Sequence, residues 1–141
     1  MSLSAVRPLM RTQMDSLGYR EWSDGFNFEN IPSTIFDESY HLAVGVVSGS
    51  PADLSTHTFD YPVTLRVFLK GFRDPAEAID DALLRSDEIL GSFLAENIRA
   101  TNTNGIVNIA PGSVQVTPYD QTNDNAVILE MVFNFTLIEC Y

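Results

Sequence analysis

Two stretches of this chain alternate apolar and polar residues with a period of two, a pattern that only a half-covered β-strand explains. In the first, Val63, Leu65, Val67 and Leu69 share one parity while Thr64, Arg66, Phe68 and Lys70 share the other. In the second, Val127, Leu129, Met131, Phe133, Phe135 and Leu137 keep one parity, and Glu130, Asn134 and Thr136 occupy the other. Successive side chains of a strand point to opposite faces, so each run reads as a strand with one buried face. A slip of one residue in the first run would bury Arg66 and Lys70, which pins its register.

Something must cover the buried faces, and two segments carry the period of an amphipathic helix. Leu3, Val6, Met10, Met14 and Leu17 recur at spacings of three and four, which gathers them on one stripe. Pro8 is expected within the first turn of that helix, where a proline is tolerated, and Gly18 supplies the left-handed residue that ends it. Further on, Asp74-Pro75-Ala76-Glu77 combines an N-cap, a proline at the first helical position and a capping-box acid. Ile79, Leu83, Leu90, Phe93 or Leu94, and Ile98 continue at helical spacing, so a helix is expected from about Pro75 to Glu96. Its other face carries Asp80, Asp81, Arg85, Asp87 and Glu88.

The remaining segments read as strands and connections. From Tyr19 to Ser39, turn residues interleave with Tyr19, Trp22, Phe26, Phe28 and Phe36, which predicts an ordered loop pinned by its aromatics. Tyr40 to Val47 reads as a strand with Leu42, Val44 and Val46 on one face, closing at Ser48-Gly49-Ser50-Pro51. Residues 48–60 then form a polar connection, longer than a tight hairpin turn. Thr101 to Gly105 is expected to be a loop, Ile106 to Ile109 a short strand, Ser113 to Tyr119 another, and Asp120 to Asn125 a turn. The order α-β-β-α-β-β predicts one α+β domain over residues 1–141: a mostly antiparallel sheet of four or more strands with two helices packed on one face.

Charge and cysteine content narrow the function. The net charge is -11, from 19 Asp plus Glu against 8 Lys plus Arg, an excess that repels phosphate backbones and anionic lipid at long range. Such a surface can surround DNA without gripping it. The single cysteine, Cys140, permits no intrachain disulfide. No run approaches the ~20 apolar residues of a membrane span, and the N-terminus lacks the apolar core of a signal peptide. Synthesis in a cytoplasm is expected.

Chemistry-bearing residues are few. His41 and His57 have acids near them in sequence (Asp37 and Glu38; Asp60), but the spacings match no metal-ligand signature, and the simpler reading is one strand histidine and one loop histidine. Cys140 has Glu139 beside it and no evident base, so it reads as a small apolar filler. Asp80, Asp81, Asp87 and Glu88 lie opposite the apolar stripe of their helix and read as a solvated face, or as an acidic face turned toward a partner or a lumen. No catalytic, cofactor-binding or metal residue is expected, and no cofactor. Phe68, Val132 and Ile138 sit on the polar parity of their strands. Either a copy of the chain covers them, or the N-terminal helix or aromatic loop does.

With those residues in view, the chain resembles the tail terminator proteins of long-tailed bacteriophages. The resemblance runs nearly the whole length. It comprises a short amphipathic N-terminal helix, then Ile31-Pro32-Ser33-Thr34 and Asp37-Glu38-Ser39-Tyr40-His41-Leu42 leading into the first strand, then a strand ending Gly71-Phe72-Arg73, an Asp74-Pro75 helix start and a terminal hairpin. It rests on the order of elements rather than on an invariant motif. What it implies is a non-enzymatic virion protein of the tail and neck, assembled in the host cytoplasm as a hexameric ring. Such a ring caps the head-proximal end of the tail tube, stops tube polymerisation and offers a docking surface to the neck or head-tail connector protein. Genome DNA would pass through the lumen without specific binding, and no membrane is involved.

In such a ring each subunit presents one patch to a different patch of its neighbour. Arg66, Lys70 and Arg73, scarce cations near a strand end, are the expected contacts for Glu77, Asp80 or Asp81 of the next subunit. Two other readings share the sequence: a head-to-tail connector or tail-completion protein, and, from another class, a small ligand-binding domain or hydrolase built on His41, His57 and nearby acids.

Overall fold

The computed structural model describes residues 2–22, 37–51, 53, 55–70, 72–103, 106–119 and 126–140. Phe26, Phe28, Phe36, the Ile31-Pro32 turn and the Asp120 to Asn125 turn lie outside the described residues. Two helices and six strands follow in the order α1 (Ser2–Ser16), β1 (Arg20–Glu21), β2 (Ser39–Val44), β3 (Ser48–Pro51), β4 (Thr56–Leu69), α2 (Pro75–Thr103), β5 (Ile106–Tyr119) and β6 (Ala126–Cys140). The strands form one sheet in the order β1-β2-β4-β6-β5, with β3 also on β4. Every pairing is antiparallel except the two-residue β1–β2 contact. Both helices pack on one face, as the α+β reading requires.

The two alternating runs become the two central strands. Val63, Leu65, Val67 and Leu69 of β4 and all six expected residues of β6 are buried, paired so that Val63 faces Phe133 and Leu65 faces Met131. Val6, Met10 and Met14 of α1 and Ala78, Ala82, Ile89 and Phe93 of α2 close the same core. At about 25 cal/mol per Å² of apolar area, this shared layer is the main source of stability. Phe93 meets Phe133 with ring centroids 4.8 Å apart.

Several expectations are corrected. Pro8 does not sit in the first turn of α1; the helix begins at Ser2 and runs through it. Interior proline costs about 3 kcal/mol, and burial of Val6, Met10 and Met14 at about 1.5 to 3 kcal/mol each exceeds that. Gly18 does close the helix, with φ at +93°.

The first strand ends at Val44, and Val46 stands 86% exposed rather than on a buried face. The 48–60 segment is no loop: Ser48 to Pro51 pair with Asp60 to His57, and β4 starts at Thr56. Hydroxyl and glycine composition hid this strand. Gly49 is needed because the Phe59 ring lies over it, and a Cβ there would sit 2.5 Å from the ring. Asp53 turns the hairpin, its carboxylate accepting the Ser55 and Thr56 N–H groups at 2.8 Å, bonds that hold its pKa below the ordinary value.

Strands β2 and β3 share one edge of β4, and Pro62 sits between their pairings. Its carbonyl accepts the Gly45 N–H at 2.9 Å. Since N–H and C=O of one strand residue point to the same edge, the missing donor faces the break between β2 and β3, not the β6 ladder.

The second helix runs to Thr103, past the expected end at Glu96 and through the expected loop at Thr101. Its buried stripe is rotated: Ala78, Ala82 and Ser86 face the sheet, while Leu83 is exposed. The Ile98 side chain lies outside what is described. Residues 106 to 119 form one strand rather than two, bent by register shifts at Ile106/Asn108 and Pro111/Val114. Pro111 and Pro118 are tolerated because β5 is an edge strand.

Candidate functional site

Asp74 caps the second helix, its carboxylate accepting the Glu77 N–H at 2.8 Å. Glu77 reaches back one residue further than a capping box requires. Its carboxylate accepts the Arg73 backbone N–H at 3.1 Å and Nε at 3.3 Å. This first turn, with Ala76, Asp80, Asp81 and Leu84, lines an open depression of about 520 Å³. Arg73, Glu77, Asp80 and Asp81, four of the six residues expected at a subunit interface, therefore lie together. Arg73 is the most available of them, its side chain 89% exposed.

Arg66 and Lys70 are not part of that depression. Arg66 lies on the face of the sheet opposite the helices, where its Nε donates to Glu130 of the adjacent strand at 3.2 Å. Lys70 follows the last residue of β4, and its backbone N–H donates to Asp37 at 2.8 Å. The sequence places these two cations close to Arg73 along the chain, but only Arg73 lines the depression.

A node the sequence did not signal centres on Arg85. It donates to Asp81 (3.1 Å), to Glu38 (3.1 Å) and to the Tyr19 hydroxyl (3.3 Å). Burial works against its charge, but the Tyr19 hydroxyl and the two carboxylates outweigh that and raise its pKa above the ordinary value. Burial likewise pushes the Tyr19 phenol up. Glu38 holds φ at +58°, a left-handed conformation uncommon outside glycine. The Arg85 pair helps hold that turn against α2. Tyr40, whose hydroxyl lies 3.3 Å from Asp15, is also raised, by burial first and by Asp15 second.

The two histidines do not converge. His41 pairs in register with Arg66 on the open face, its Nδ1 3.1 Å from the Trp22 carbonyl oxygen. His57 has the parity of Val63 and Leu65 and so faces the other way. Nine residues of β4 separate His57 from Arg66, roughly 30 Å at ~3.3 Å per residue. Among the described residues no group of three His, Cys, Asp or Glu side chains is placed to hold a metal, and no helix is long and apolar enough to cross a membrane.

The open face is divided. Phe68 is buried with Ala126 and Ile128 in a second small cluster against Trp22, so of the two expected covers it is the aromatic loop after α1 that reaches it. Ile138, at the other end of β6, is exposed. Large apolar side chains also stay in water at both edges of the sheet, Val44 and Val46 at one and Val107 and Val114 at the other, and along α2 at Leu83, Leu84 and Leu94.

No protein-family model matches the chain, and no curated protein sequence matches it.

Proposed function

We propose that the chain is a structural subunit of a phage tail, a terminator that assembles as a hexameric ring on the head-proximal end of the tail tube, stops its growth and offers the neck a docking surface. The observation that carries this reading is the pair of apolar sheet edges. Val44 and Val46 at the β2–β3 edge, and Val107 and Val114 at the β5 edge, are each at least 40% exposed, and the strand order puts them on opposite sides of the subunit. Unlike patches on opposite sides suit a head-to-tail contact that closes by rotation. The net charge of -11 fits a lumen that lets DNA slide. The depression holding Arg73, Glu77, Asp80 and Asp81 supplies exchangeable ion pairs at such a contact, each worth under about 1 kcal/mol in water.

The test is direct. Purified protein added to growing tail tubes should give tubes of arrested length with density at one end in electron micrographs. Tubes that keep growing and stay bare at both ends would exclude a terminator. A ring seen only between head and tail would point to the connector reading instead.

A further inference from the structure

The first turns of the second helix meet the sheet through small residues. Ala78, Ala82 and Ser86 are buried against the sheet, whereas Leu83, Leu84 and Leu94 stand 47%, 59% and 47% exposed. Ile89 and Phe93 continue the buried stripe, and the leucines stand outside it, in water.

The neighbours of α2 show which flank carries the leucines. At 3.6 residues per turn, positions 81, 85 and 92 fall on one side of the buried stripe, and 79, 83, 90 and 94 on the other. The first side meets α1 and the start of β2: Ser92 Oγ donates to Gln13 at 2.6 Å, and Arg85 reaches Tyr19 and Glu38. The leucine side therefore faces away from α1. Since α2 lies over β5 and β6, this flank overhangs the β5 edge, where Val114 is also exposed.

The first helix has the complementary arrangement. Gln13 turns toward α2, while Arg7 and Arg11 occupy the far flank, beside the β1 edge, where Arg11 pairs with Glu21 at 2.6 Å. Charge divides in the same sense. Residues 2–21 hold three arginines and two acids, net +1, while residues 75–103 hold six acids and two arginines, net -4.

We infer that the α2 flank formed by Leu83, Leu90 and Leu94, with Asp80 and Asp87 at its rim, receives the α1 flank of a second copy, Arg7 and Arg11 foremost. This rests on the ring reading above and names its contact. The two flanks lie on opposite sides of the helical layer and differ in charge, so the contact is heterologous and repeats from subunit to subunit.

Sedimentation velocity from micromolar concentration upward reads this contact. The wild type should associate reversibly, less so as salt rises. Leu83→Glu and Leu94→Glu alter side chains already half in water, so thermal melts should be unchanged while association weakens roughly tenfold or more. Arg7→Glu and Asp87→Arg should each weaken association, and the two together should restore most of it. Should Arg7→Glu unfold the chain, Arg11→Glu takes its place. A wild type that is monomeric at every concentration overturns the inference, and so does assembly that both leucine variants leave intact. If copies associate through these residues yet tail tubes stay uncapped, the tail reading fails and the contact stands. If tubes are capped by a protein indifferent to both leucine changes, the contact fails and the tail reading stands.

Discussion

The two faces of β6 show how differently one strand can be covered. On the helical side Val127, Leu129, Met131, Phe133, Phe135 and Leu137 are all 1% exposed or less. On the opposite side exposure runs from 0% at Ile128 to 39% at Ile138. A helix lays a continuous apolar stripe along a strand and seals its whole length. Among the described residues the segment after α1 brings Trp22 to the second cluster, and the indole seals the end it touches. One face is held by a layer and the other by a plug.

If that distinction is right, truncation on the layered face costs most. Phe133→Ala removes the partner of the Phe93 ring and leaves a cavity bounded by two helices and two strands that cannot all collapse. A loss of about 3 to 5 kcal/mol is expected in denaturant melts, with Leu65→Ala at about 2 to 5 kcal/mol. Losses below half a kcal/mol for both would break the comparison at its stronger end.

On the plugged face Phe68→Ala should cost less, about 1 to 3 kcal/mol, because the described cluster around it is small, Ala126, Ile128 and Trp22. The chain has one tryptophan, so its fluorescence reports this cluster alone. Emission should shift to the red in Phe68→Ala and stay unchanged in Phe133→Ala. Equal stability losses with no spectral difference would mean that both faces are sealed in the same way.

The same contrast separates what was legible in the sequence from what was not. Alternation marked the layered face because every second residue from Val127 to Leu137 does one job. The plug was illegible as a pairing: Trp22 and Phe68 are both visible in the sequence, but no period links residues so far apart. The first turns of α2 differ in phase from the expected stripe because the leucines are the stronger signal, whereas Ala78, Ala82 and Ser86, small residues four apart, meet the sheet there, and Ile89 and Phe93 further on. Strand β3 escaped because Ser48-Gly49-Ser50-Pro51 has no strand propensity, and it forms only since β4 offers an edge there. Of the expected interface residues, those within one turn of α2 were placed together by helix geometry. Arg66 and Lys70 are close to Arg73 along the chain but do not line the depression.

The smallest effect tests whether the middle of the plugged face is wet. Arg66 and Glu130 face each other across β4 and β6, 3.2 Å apart, with side chains 27% and 23% exposed. They sit between the Trp22 cluster and open Ile138, in a row that continues to His41 on one side and Gln115 on the other. Partial exposure leaves both ions in contact with water, so their attraction is screened and each gives up little hydration. A double-mutant cycle with Arg66→Ala and Glu130→Ala should return a coupling below about 1 kcal/mol, shrinking as salt rises. A coupling of about 3 kcal/mol that ignores salt would mean that the pair is dry. Water would then be excluded well beyond the reach of Trp22, and the outer face would have to be counted as a second layer.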